Sequence, residues 1–264
     1  MKIAIIGAGN LGLSMAKGFI INNAFTTLYL TKRNIESIED WSDYKNVKIS
    51  SDNREAVINS DILIFALQPK HLEKTLLEVS DLLTDNHVII STVTGFKINK
   101  IENLIGPDNY IIRSMPNTAI SVGKSITCVC CNKKGKKRIN IAIAIFNRLG
   151  TTVEIPEEQM QAATVICASG IAFWMRLIRA TTQGAIQLGF ESHIAQEMAM
   201  QTCLGAATLL IENGKHPEEE IDKVTTPSGC TIEGLNEMEH QGLSSSLIKG
   251  IVTSFEKISQ ISKN

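Results

Sequence analysis

The chain has 264 residues, 44% hydrophobic and 20% charged, a balance typical of soluble globular proteins and enough length for one large domain or two modest ones. Lys and Arg number 26 against 27 Asp and Glu, a net charge of −1 that excludes a global electropositive field for nucleic acid. Among six cysteines only "CVCC" has metal-like spacing, and it has neither a second pair nor a nearby histidine, so reduced thiols in a cytoplasmic protein and no metal site are expected.

In chain order, "MKIAII" reads as a strand, Lys2–Ile6, too short for a signal peptide or a membrane span, and no uninterrupted apolar run of spanning length follows. Next comes "GAGNLG", a GxGxxG between that strand and a helix over Leu11–Ile21. In this context Gly7 allows a tight turn, Gly9 lets a pyrophosphate approach the backbone, and Gly12 lets the helix pack on the strand. Asn10 and Leu11 lie at the helix start, where free amides favour an anion. The second strand, Thr27–Leu30, runs into Thr31, Lys32 and Arg33 and carries no acid at its end. An NAD site would place Asp or Glu there; a hydroxyl and two cations suit a 2′-phosphate, so NADPH is the expected cofactor, with NADH left open.

Further strands are expected at Val47–Ser50, Ile62–Ala66, Val88–Ser91, Tyr110–Arg113, Ser125–Cys130 and Thr152–Glu154, with helices at His71–Ser80 and Arg138–Leu149. This alternation predicts an α/β fold with a parallel, doubly wound sheet. The basic run "KKGKKR" reads as a solvated turn. After Pro156 the spacing becomes helical, over Glu157–Leu188, Ser192–Glu212, a short stretch after Pro217, and Ser244–Ile261. Two domains are therefore expected, 1–155 and 156–264. The long helices are rich in Ala, Gly and Met and hold more apolar surface than five helices can hide, which predicts a dimer formed through them, with Phe173 and Trp174 either in its core or walling a ligand pocket.

"VTTPSGCT", residues 224–231, is a cluster of hydroxyls at a predicted helix N-terminus, without carboxylate, histidine or lysine. Its amides and dipole favour an anion.

Taken together, "SDNREAVINSDILIFALQP", "RSMPNTA", "ASGIAFW" and "HPEEEIDKVTTPSGCTIEGL" resemble, in order and spacing along the whole chain, the Δ1-pyrroline-5-carboxylate reductase family. The resemblance implies a Rossmann-type domain followed by an all-helical dimerisation domain, and NADPH-dependent reduction of a cyclic imine to proline. It implies that Asn53 contacts the adenosine ribose, that Ala66, Leu67, Gln68 and Pro69 line the cofactor cleft, and that Met115, Pro116 and Asn117 sit near the nicotinamide. Thr226, Ser228, Gly229, Cys230 and Thr231 would hold the substrate, with Thr231 bonding the ring nitrogen and relaying its proton. A homodimer, and a decamer of five dimers, are the implied assemblies; no nucleic acid or membrane partner is expected. Departures are Gln68 for the usual lysine, Ala119 for a common proline, Ile171 and Ala172 in "SGIAF", Ser228 for glycine and Cys230 for Thr or Ala.

Two other readings stay open on the residues. β-Hydroxyacid dehydrogenases also join a Rossmann domain to helices but use a lysine early in the long helix, and this chain has no lysine between Lys137 and Lys215. Arg176 cannot exchange protons at neutral pH in its place. A non-catalytic NADP sensor, suggested by Gln68, Ser228 and Cys230, would bind NADPH without turning over an imine.

Overall fold

The computed structural model describes residues 1–261. They divide into two compact units, one formed by Met1–Ser169 with the last helix from Ser254 onward, the other by Gly170–Thr253.

The first unit is built on an eight-stranded sheet: β1 (Lys2–Ile6), β2 (Thr27–Thr31), β3 (Val47–Ser50), β4 (Ile62–Phe65), β5 (Val88–Ser91), β6 (Tyr110–Met115), β7 (Ser125–Cys131) and β8 (Gly150–Glu154). Their spatial order is β3-β2-β1-β4-β5-β6-β7-β8. Helices α1 (Asn10–Ile21), α2 (Asn53–Ile58), α3 (Pro69–Val79), α4 (Ile98–Ile105) and α5 (Ile139–Asn147) make the crossovers. The strands are apolar runs because both faces are covered. Ile3 and Ile5 of β1 join a core with Met15, Phe19 and Phe146 from α1 and α5. Ala4 and Ile6 point the other way, into a core with Val57, Leu72, Leu76 and Ile101 from α2, α3 and α4.

The sheet departs from the expected all-parallel arrangement at one pair, because β7 runs antiparallel to β6. Residues 116–124 join these strands, too few for a crossover helix, and hold only a 3-10 turn, Thr118–Val122. β8 then returns parallel to β7 through α5. Beyond β8, Glu157 receives a 2.7 Å hydrogen bond from the buried Arg113 guanidinium and another from the Ile98 amide, which ties the start of the helical region to the sheet. That region runs as a 3-10 turn (Glu157–Gln159), α6 (Met160–Ala163) and a π-helical turn (Thr164–Ser169).

The second unit contains α7 (Gly170–Gln187), α8 (Ser192–Asn213), α9 (Pro217–Val224), α10 (Cys230–His240) and most of α11 (Leu243–Ile261). Pro217 stands at the first turn of α9, with the His216 ring accepting from the Glu218 amide, so this histidine serves as a cap. Within this unit only Gly170, Thr182, Ala195 and Ala199 are buried. Trp174 is 60% exposed, Leu204 60% and Ile211 81%, so the expected apolar excess lies open on the surface of the single chain. By length and averaged hydropathy, Glu157–Gln187 and Ser192–Asn213 would also suffice to cross a membrane, a property the uninterrupted-run criterion does not reveal.

Candidate active site

Strand order reverses at β1, whose neighbours are β2 on one side and β4 on the other. In an open α/β sheet a crevice forms at the carboxyl ends of the strands at that switch point. The "GAGNLG" turn follows β1, and Ala66–Pro69 follows β4, so two predicted cofactor segments meet there. A Cβ on Gly7 would lie 2.6 Å from the Ala66 carbonyl oxygen and from the Leu67 side chain, and Gly7 has φ +103°, so glycine is required twice over. A Cβ on Gly12 would overlap the Gly7 carbonyl oxygen. Gly9 is different: nothing lies within 4 Å of where its Cβ would be. That open space faces an α1 N-terminus without a side-chain cap, where the amides of Asn10, Leu11 and Gly12 precede the first intrahelical bond, from Leu13 N–H to the Gly9 carbonyl. Close packing at Gly7 and Gly12, open space at Gly9 and unused amides are what a dinucleotide pyrophosphate needs.

Thr31 is placed differently from Lys32 and Arg33. Its side chain is buried; the hydroxyl accepts from the Gly7 amide at 3.3 Å and donates to Asn53 Oδ1 at 2.7 Å. Asn53 in turn donates through Nδ2 to the Glu78 carboxylate at 3.3 Å. Thr31 therefore braces the glycine turn instead of presenting its hydroxyl to a ligand, and Glu78 at the end of α3 extends the brace. Lys32 is half-buried and Arg33 exposed. Arg33 Nη2 reaches His71 Nε2 at 3.3 Å, bringing α3 to the same end of the crevice. Partial desolvation, then the charges of Arg33, Lys70 and Lys74, hold His71 below the usual histidine range. Gln68 and Pro69 are exposed at the start of α3.

Met115, Pro116 and Asn117 are all buried. The Asn117 side chain is spent within the protein: Oδ1 accepts from the Ala119 amide at 2.9 Å, and Nδ2 donates to the Cys167 carbonyl at 2.9 Å. Asn117 thus caps the 3-10 turn and holds the π-helical turn.

The hydroxyl cluster lies in the other unit. Gly229 N–H donates to the Thr226 carbonyl at 2.9 Å across Pro227 and Ser228, and Ser228 has φ +57°. Proline second and a positive φ third define a type II turn, whose third position favours glycine; this is the position where the sequence departs from family habit. A Cβ on Gly229 would overlap Thr226 Oγ1. Gly229 is the N-cap of α10, and among the described residues no side chain caps that end. Amides of Cys230, Thr231 and Ile232 are left for another partner, with Thr226, Ser228, Cys230 and Thr231 exposed around them. The helix begins at Cys230.

His71, Glu78 and Cys167 carry no motif and were missed by sequence reasoning. Each reaches its partner across 25 or more residues, as Asn53 to Glu78 shows with 25, so no local signal identifies them.

Residues 157–261 match the family model for pyrroline-5-carboxylate reductase dimerisation, and residues 2–95 match one described as NADP oxidoreductase, coenzyme F420-dependent. Pyrroline-5-carboxylate reductase 1 of Dictyostelium discoideum is 43% identical over 98% of the chain, although the chain spans only about half (49%) of that relative's length. Pyrroline-5-carboxylate reductase 2 of the same organism is 42% identical, covering 98% of this chain and 92% of its own. A crystal structure of Plasmodium falciparum pyrroline carboxylate reductase with NADP bound shares the fold, with a TM-score of 0.90 at 23% identity over 99% and 98% of the two chains. The 42% identity to a relative of matching length, together with the dimerisation match, shows that the chain belongs to the pyrroline-5-carboxylate reductase family.

Proposed function

We infer that the protein is an NADPH-dependent pyrroline-5-carboxylate reductase, converting the cyclic imine Δ1-pyrroline-5-carboxylate to proline as the last step of proline biosynthesis. The observation that carries this reading is the bare N-terminus of α10: free amides ringed by hydroxyls, with no strong acid or base in the turn. A ketone reductase must protonate an alkoxide and needs a real proton donor. A cyclic imine can arrive already protonated and leaves as an amine, so the protein has mainly to hold and orient it.

The crevice at β1 and β4 fits NADPH. Gly9 leaves room for the pyrophosphate, the amides at the start of α1 bind it, and Lys32 with Arg33 receives the 2′-phosphate. Thr31 and Asn53 keep the glycine turn in shape, and Ala66, Leu67, Gln68 and Pro69 line the opposite wall. When bound, the reduced nicotinamide supplies the hydride. Met115, Pro116 and Asn117 give the buried, fixed backbone that orients its end of the site. In the helical unit, the Cys230 and Thr231 amides with the Thr226 and Ser228 hydroxyls and the Gly229 turn hold the substrate carboxylate. Thr231 Oγ1 bonds the ring nitrogen and passes its proton. The absence of lysine between Lys137 and Lys215 disfavours a β-hydroxyacid dehydrogenase.

The exposed apolar faces of α7 and α8 support a homodimer formed through the helical unit, with five dimers as the larger assembly. Self-association, rather than insertion into a membrane, is the role proposed for these faces. Six free cysteines support a reducing cytoplasmic location. Thr231→Ala tests the relay role: turnover should fall on the order of 10²-fold with NADPH binding intact. Wild-type turnover in this variant would contradict it.

A further inference from the structure

Two of the six free thiols touch. Cys128, buried in the middle of β7, has its Sγ 3.7 Å from Sγ of Cys167, which is half-buried in the π-helical turn Thr164–Ser169. A disulfide bond is about 2.05 Å long, so closure requires the sulfurs to approach by roughly 1.7 Å. The two anchors differ in freedom: Cys128 is fixed in a strand paired on both sides, whereas Cys167 lies in a helical turn with the wider, less regular bonding of π geometry.

The sulfurs also differ electronically. The contact between the two sulfurs lowers the Cys167 thiol to about 7; the same contact, with burial, pushes Cys128 up. The direction favours thiolate, the reactive form, at Cys167. Neighbouring Cys130 is pushed up to about 12 by burial, and burial raises Cys131 as well, so both remain thiols.

We propose that Cys128 and Cys167 form a redox modification site at which a hydroperoxide closes an intramolecular disulfide, with Cys167 as attacking and Cys128 as resolving thiol. Cys167 sulfur attacks the terminal peroxide oxygen. The O–O bond breaks, the alkoxide departs and takes up a proton as the alcohol, and Cys167 becomes a sulfenic acid. Cys128 sulfur then attacks Cys167 sulfur; the S–O bond breaks and hydroxide leaves as water with the Cys128 proton. Two thiols lose two electrons, and the hydroperoxide is reduced to alcohol and water. Closure draws the π-helical turn toward β7 and pulls on the Cys167 carbonyl that Asn117 Nδ2 holds at 2.9 Å. The modification therefore loosens the Met115–Pro116–Asn117 segment. Its effect on the cofactor rests on the proposed function; the disulfide itself does not.

The test treats the intact protein with hydrogen peroxide at neutral pH and maps tryptic peptides without reduction. Residues 125–133 and 149–176 should appear as one cross-linked peptide, lacking two hydrogens and released by dithiothreitol. Cys128→Ser should abolish the link although Cys130 and Cys131 stay in the same peptide. No link in wild type, or a link that survives in Cys128→Ser, overturns the proposal. Because Cys128→Ser could fold poorly, the pH dependence of Cys167 alkylation in the unmodified protein provides a second arm. A rate that rises well below the pH of an ordinary thiol is expected; a rate that rises only above about 8.5, as for an ordinary thiol, overturns the assignment of Cys167 as the attacking thiol. NADPH affinity should fall at least threefold in the cross-linked protein, and equal affinity in both states overturns the coupling to Asn117. A cross-link in a protein that binds no NADPH in either state would reject the proposed function and leave the modification site standing.

Discussion

In the sheet-bearing unit Phe19, Phe65 and Phe146 are fully buried, while in the helical unit Trp174, Leu204 and Ile211 stand largely in water. The first unit closes its own core on both faces of the sheet; the second has four buried residues, among them one glycine and two alanines. Fully burying one large apolar side chain stabilises by about 1.5–3 kcal/mol, so the helical unit leaves much of its potential stabilisation unused in a single chain. The two units divide the labour. The sheet unit is a finished object, to which we assign the cofactor crevice, and the helical unit is an unfinished one, whose surface we assign to a second copy.

Breaking the crevice should have the largest effect. Gly7→Val places side-chain atoms against the Ala66 carbonyl and Leu67 at φ +103°, and NADPH binding, followed by fluorescence titration, should fall more than about 10²-fold while helical circular dichroism persists. Unchanged affinity would mean the crevice is elsewhere. On the helical side, Leu204→Arg charges the exposed α8 face, and light scattering should show the dimer giving way to monomer at micromolar concentration. A dimer that survives would move the interface off that face.

The sheet unit was largely legible in the sequence and the helical unit less so, for physical reasons. Short apolar runs such as Ile62–Phe65, too short for a helix and preceded by Asn59, Ser60 and Asp61, read as strands covered on both faces. Strand direction is not carried by such runs: β7 looks like its neighbours, and only the short link through Pro116 and Asn117 turns it around. GxGxxG shows where a phosphate goes, but the inward turn of the Thr31 hydroxyl depends on burial and on Asn53, which are properties of the packed sheet. The Ser228 departure is visible as a residue out of place, whereas its cost, a non-glycine residue at positive φ in a type II turn, appears only in the backbone. The contact of Cys128 with Cys167 spans 39 residues and two elements and has no sequence signature.

Smaller effects sharpen the comparison within each unit. Lys32→Ala with Arg33→Ala should raise the NADPH KM roughly tenfold and leave that for NADH unchanged, since only the 2′-phosphate loses partners. Equal changes for both cofactors would show that these cations serve folding or the shared pyrophosphate. Ser228→Gly relieves a left-handed residue of about 1 kcal/mol of strain and should raise Tm by about 2–4 °C. A fall in Tm would mean that the serine hydroxyl stabilises the turn more than its backbone conformation costs.

The most direct measurement mixes the purified protein with Δ1-pyrroline-5-carboxylate and follows the oxidation of NADPH, then of NADH, by absorbance. Rapid oxidation with proline as product is expected, faster with NADPH than with NADH at subsaturating cofactor. NADPH binding without turnover of this imine would contradict it and favour a cofactor-sensing protein on the same scaffold.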